Sequence, residues 1–168
     1  MSVYGYIRLN TSVETPEGLG FKEQTQKINA WAADSKLEIK KIHRDKEPTS
    51  SSLDLPRLAK LIKQIDQGKV TVLVVVRLDR LTRSIRLYNH LLELLAVNNV
   101  RFVSLLEGID TAKKSGKMVF NAMRIMGRWE AKAGRAKKRK RSEKRVEKKK
   151  KKQRSRVWDL DKKKYVTK

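Results

Sequence analysis

The sequence predicts an α/β fold: a mostly parallel sheet of four or five strands with helices on both faces, followed by a long C-terminal helix and a basic arm. Three observations predict it. Short β-branched and aliphatic runs alternate with stretches of helical spacing, the pattern of successive βαβ crossovers. The run Val70–Val76 is apolar throughout, as a strand buried on both faces must be. After Glu107 no proline occurs, and helical spacing continues into a stretch crowded with lysine and arginine.

Taken in order, Val3–Leu9 reads as the first strand, and Thr15-Pro16-Glu17-Gly18-Leu19-Gly20 as a loop by its proline and glycines. Lys22–Ala33 has helical spacing, with Ile28, Trp31 and Ala32 on one side. Leu37–Ile42 is a second strand, followed by a polar loop from Asp45 to Ser52. Leu58, Leu61, Ile62 and Ile65 fall at i, i+3, i+4 and i+7, one helix face that Gly68 closes. Beyond the Val70–Val76 strand, a leucine-rich helix spans Ile85–Ala96 and stops at Asn98-Asn99; Val100–Leu106 makes a fourth strand. Met118, Ala122, Ile125, Trp129 and Ala133 keep helical spacing, with Gly134 a candidate break. Met118, Met123 and Met126 on this helix suit a self-association surface or a core stripe equally well. Residues 156–166 read as a small hairpin or an aromatic peg, with no function assigned. The expected organisation is a domain over 1–112, a long helix suited to oligomerisation over 113–134 and a basic arm over 135–168.

With 168 residues, the chain has room for one domain with a real core and little more. The formal net charge of +24 is unevenly spread: Lys132 to Arg156 holds 16 Lys/Arg against Glu143 and Glu147. A polyanion is therefore the expected partner, and double-stranded DNA the first choice. Within the arm, Lys137, Lys138, Arg139, Lys140, Arg141, Lys144 and Arg145 are the candidate phosphate contacts. An anionic membrane is a poorer match, because the arm has almost no apolar residues to insert. RNA suits the charge, but the aromatic stacking surface of RNA-binding modules is lacking. There are no cysteines, which excludes disulfides and thiolate catalysis, and the two histidines, His43 and His90, show no metal-ligand spacing. No metal or cofactor is expected. No apolar run approaches a membrane span, so a cytoplasmic, nucleoid-associated protein is expected, or a nuclear one if the host has a nucleus.

The chemistry concentrates at two strand ends. Arg80 and Arg83 follow the central strand in Leu78-Asp79-Arg80-Leu81-Thr82-Arg83, and Arg8 closes the first strand in Tyr4-Gly5-Tyr6-Ile7-Arg8. Open α/β sheets bind ligands at such carboxyl ends, and guanidinium is the side chain best shaped to grip phosphate at two points. Together, YxYIRxxT and LDRLTR resemble the serine recombinases, the resolvase/invertase family, over roughly residues 2 to 130. That family cuts and rejoins DNA through a phosphoserine link, without metal or nucleotide. The resemblance implies that Arg8, Arg80 and Arg83 bind the scissile phosphate and that Asp79 orients the cluster. It also matches Gln24 in FKEQ, Asp45 in HRDK and Glu130 in the helix after EGIDT.

Three departures from the family pattern bear on activity. Asn10 stands where the family has its serine, and a carboxamide can only hydrogen-bond. Leu55-Pro56 occupies the place of a phosphate-binding arginine and proline, with Arg57 one residue further on. The Glu-Arg pair usual late in the long helix is Glu130-Ala131. Ser12 shares the Arg8 side of the strand, about 6.6 Å further along than Asn10 at ~3.3 Å per residue, and is the fallback nucleophile. The expected function is a DNA recombinase-like protein impaired in catalysis, a homodimer or tetramer, possibly mixed with an active recombinase. The alternative is a non-enzymatic DNA-binding protein that modulates an active recombinase or DNA architecture.

Overall fold

The structure, a computed structural model, describes residues 1–9, 20–46, 55–82, 84–154, 156–159 and 164–167; side chains are described up to residue 135 within these ranges, and at 139 and 142–150. The loop predicted over 15–20 and the polar loop after Lys46 lie mostly outside them.

The central sheet contains β1 (Val3–Leu9), β2 (Ile39–Lys46), β3 (Val72–Val75), β4 (Arg101–Ser104) and β5 (Ile109–Asp110), in the order β2-β1-β3-β4-β5. The first four run parallel, and the two-residue β5 pairs antiparallel with β4. The pairing of Arg8 with Asp45 and of Leu9 with Lys46 carries β2 further than its apolar residues do. Asp45 is thus a strand residue and not the start of a loop, because main-chain pairing with β1 continues after the hydrophobic pattern ends.

β1 alternates strictly between two cores. Val3 and Ile7 pack with Val72, Val74 and Val103 against Ile28 of α1 (Phe21–Asp34). Tyr4 and Tyr6 face the other way, into a core built from α2 (Pro56–Asp66) and α4 (Ile85–Val97). Leu58, Leu61 and Ile65 are buried on α2, as their spacing predicts; Leu91, Leu92 and Leu95 are buried on α4. Fully burying each such side chain contributes roughly 1.5–3 kcal/mol. α1 thus lies on one face and α2 and α4 on the other, because the chain steps from β1 to β2 in one direction and from β2 to β3 in the opposite one.

A single helical turn, α3 (Leu78–Leu81), follows β3 and was not evident from periodicity, being too short to show any. β4 and β5 are clamped by Arg101, whose Nε and Nη2 donate to Asp110 Oδ1 and Oδ2 at 2.9 and 2.7 Å. That guanidinium holds the Asp110 carboxyl below its ordinary range.

The chain divides into two compact units, Met1–Gly127 and Arg128–Lys168. Helix α5 (Lys114–Arg154) is continuous, with no break at Gly134. Lysine, arginine, glutamate and alanine are good helix formers, and one glycine costs only ~1 kcal/mol against alanine. In the first unit, Phe120 of α5 enters the core and its ring lies 5.8 Å from that of Phe102. In the second, β6 (Arg156–Asp159) and β7 (Lys164–Thr167) pair antiparallel.

Candidate functional site

All four parallel strands end at the same edge of the sheet. The order β2-β1-β3-β4 reverses the direction of winding between β1 and β3, and such a switch point opens a crevice at the carboxyl ends of the strands. Arg8 lies at the end of β1, and α3 follows β3 into the same place.

Arg8 is 1% exposed. Its Nε donates to the Arg80 carbonyl at 3.2 Å and its Nη2 to the Asp79 carbonyl at 2.6 Å. These bonds hold the open C-terminal side of the α3 turn, where carbonyls lack helical partners. The Asp79 carboxylate points outward, 3.3 Å from Arg77 Nε and 3.3 Å from Arg80 Nη2. With Asp79 43% exposed, these ion pairs contribute little to stability; they restrain the Arg80 side chain, itself 10% exposed.

Gln24 is buried on α1 and donates from Nε2 to the Arg8 carbonyl at 3.1 Å, fixing the end of β1. Asp45 is buried at the end of β2 and caps α2. It accepts from the N–H groups of Arg57 and Leu58 at 3.0 and 2.8 Å, and from the Tyr6 hydroxyl at 3.0 Å. Two residues before Asp45, His43 stacks on Tyr4 with ring centroids 5.9 Å apart, and its Nε2 lies 2.8 Å from Gln64 Oε1.

Five residues picked out from sequence, Arg8, Gln24, Asp45, Asp79 and Arg80, therefore gather at one edge of the sheet. Glu130 is an exposed residue of the second unit. Asn10, Ser12 and Arg83 lie outside the described residues, as do the side chains of Lys137, Lys138, Lys140 and Arg141. Arg139, Lys144 and Arg145 are exposed on α5, where Arg139 Nε lies 3.4 Å from Glu143 Oε1. Sequence reasoning gave no role to Tyr6 beyond its place in the motif, and none to Glu107, which accepts from the Leu78 N–H at 3.2 Å. Tyr6 shares with Arg8 the parity of β1, the one signal that pointed to it. Among the described residues, no cluster of three or more histidines or carboxylates is arranged to hold a metal ion, and no helix is long and apolar enough to cross a membrane.

The model of the resolvase N-terminal domain matches residues 3–155. The chain belongs to that family. This resolvase-type domain is 30% identical over 126 residues to the DNA-invertase of Escherichia phage P1, covering 75% of this chain and 60% of that protein. It is 26% identical over 128 residues to the transposon Tn917 resolvase of Enterococcus faecalis, covering 76% and 62%. The chain thus spans about 60% of the length of these curated relatives. Among solved structures, the N-terminal catalytic domain of TP901-1 integrase superposes with a TM-score of 0.68 at 25% identity, over 80% of this chain and 99% of that one. A resolvase-family site-specific recombinase from Streptococcus pneumoniae shares the fold, with a TM-score of 0.67 at 21% identity over 88% and 99%. The chain therefore carries a recombinase domain of the serine resolvase/invertase type.

Proposed function

We propose that this resolvase-type domain grips a phosphate of double-stranded DNA at the β1/β3 switch point but cannot cut the strand as written. The observation that carries the reading is the bond from Arg8 Nε to the Arg80 carbonyl, which joins the arginines of two motifs at one sheet edge. Arg80 and Arg83 contact the phosphate, while Arg8, beneath the rim, supplies charge and anchors the helix that carries Arg80. Preplaced cations of this kind stabilise the charge that develops on phosphoryl oxygens during transfer. Asp79 orients Arg80. Gln24 and Asp45 act through the strand and helix ends they hold, and Glu130 belongs to the same set by its motif alone.

Asn10 offers a hydrogen bond where a phosphoserine link needs a hydroxyl. Leu55 in place of an arginine and Ala131 in place of another favour the same conclusion. The basic arm over 135–168 binds the DNA backbone, with affinity falling steeply as salt rises and little choice of sequence. The helix over 113–134, with Met118, Ile125 and Met126 exposed, makes the homodimer or tetramer. The same three departures also favour a second reading, a DNA-binding modulator that joins an active recombinase through this helix.

The test is to incubate the chain and its Asn10→Ser variant with supercoiled DNA carrying the native flanking sequence. The product sought is protein covalently attached to a DNA 5′ end. Attachment by the serine variant alone supports a disabled recombinase. Attachment by both moves the nucleophile to Ser12 or Thr11, and attachment by neither favours the modulator.

A further inference from the structure

Glu107, in the turn between β4 and β5, is a carboxylate with no role in the reading above. Its Oε1 accepts from the Leu78 N–H at 3.2 Å, and its Oε2 is hydrogen-bonded to the buried hydroxyl of Ser104. Leu78 is the first residue of α3, and Arg77, at the N-cap, makes no side-chain cap bond. A one-turn helix gains almost nothing from propagation, so its placement depends on what grips its ends. Arg8 grips the carbonyls of Asp79 and Arg80, and Glu107 grips the amide of Leu78 from 29 residues away.

The charge of the same carboxylate is also felt at Tyr88, where α4 meets the start of α5. Tyr88 of α4 donates from its hydroxyl to Met123 Sδ at 4.0 Å. Its hydroxyl is pushed up to about 12, first by burial and then by the charge of Glu107.

We infer that Glu107 is a positioning residue that sets α3 so that Arg80 meets the DNA phosphate, a role that rests on the phosphate-gripping reading. A carboxylate suits the task because its two oxygens accept from two donors at once. Glutamine keeps an acceptor for Leu78 and offers a donor to Ser104; alanine keeps neither.

The test uses the full chain labelled with nitrogen-15, its Glu107→Gln and Glu107→Ala variants, and a short DNA duplex as probe. In the parent and in Glu107→Gln, which keeps an acceptor for Leu78, that amide hydrogen stays protected from exchange. In Glu107→Ala, Leu78 exchanges its amide hydrogen about tenfold faster, as expected for loss of a charge-assisted bond. The duplex shifts the Arg80 Nε–H signal in the parent and in Glu107→Gln but not in Glu107→Ala. Unchanged Leu78 exchange beside a responsive Arg80 overturns the role of Glu107 alone. An Arg80 signal that ignores the duplex in the parent overturns the phosphate reading and this role with it. Should the alanine variant unfold, Glu107→Asp decides, since its shorter side chain keeps the charge but draws the acceptor back from Leu78: faster Leu78 exchange supports the inference, and exchange as slow as in the parent overturns it.

Discussion

Arg8 Nε donates to the main-chain carbonyl of Arg80 at 3.2 Å, joining residues 72 positions apart. The bond turns two motifs that are distant in sequence into one structural unit. Lysine in place of Arg8 keeps the charge but loses the planar fork that reaches the carbonyls of Asp79 and Arg80 together. Arg8→Lys is expected to lose about 2–3 kcal/mol of stability in urea unfolding, the scale of charge-assisted bonds lost in a buried setting. Because the net charge is unchanged, any fall in DNA affinity at fixed salt reports placement of the arginines.

Asp45 holds the N-terminus of α2 from a neighbouring strand. Asp45→Ala removes the acceptor of the Arg57 and Leu58 N–H groups and of one Tyr6 hydroxyl bond, and is expected to cost about 2–3 kcal/mol. Tyr6→Phe removes one donor and leaves the cap in place, with an expected loss of about 1 kcal/mol. Chemical denaturation of the two variants measures the ordering; a Tyr6→Phe loss equal to that of Asp45→Ala would refute it.

Burial holds the His43 imidazole below its ordinary range; the Gln64 bond opposes this, and Lys41, Lys60 and Arg57 add to it. The unfolded chain takes up this proton near pH 6.5, the folded one only in more acidic solution. Below the unfolded value the unfolded state binds more protons, so stability falls as pH falls toward the folded value. Above it the contribution is complete. Urea midpoints at about pH 7.5 and about pH 5 are expected to differ more in the parent than in His43→Gln, which removes this imidazole's share of the difference.

Gly116 has no room for a side chain. A Cβ there would collide with the Asp110 carbonyl oxygen, and that atom belongs to β5 main chain. Gly116→Ala is expected to cost about 1–3 kcal/mol through overpacking. Gly134, also on α5, has nothing within 4 Å of such an atom, so Gly134→Ala is expected to raise helicity and stability by about 0.5–1 kcal/mol. Circular dichroism and thermal melts separate the two signs.

The strands and longer helices were legible because apolar periodicity carries them, as in Leu58, Leu61 and Ile65 on α2. Arg8 and Arg80 were legible because each sits at the end of such a run. The cap made by Asp45 was hidden, since it depends on strand pairing that outlasts the hydrophobic pattern. α3 was hidden for a related reason: four residues show no period, and the groups that fix them come from Arg8 and Glu107. In the basic stretch, like charges argue against structure, whereas lysine and arginine are intrinsically good helix formers; α5 continues to Arg154.

Odd positions of β1 serve one core and even positions the other, and Arg8 continues the even series after Tyr4 and Tyr6. One extra residue inserted between Gly5 and Ile7 would turn the rest of the strand over. The guanidinium would then face the α1 layer and an aliphatic chain would lie under α3, while every side chain in the segment stayed the same. Length in this segment is therefore constrained more tightly than composition, and diversification of the domain is expected to spare its spacing while exchanging its letters.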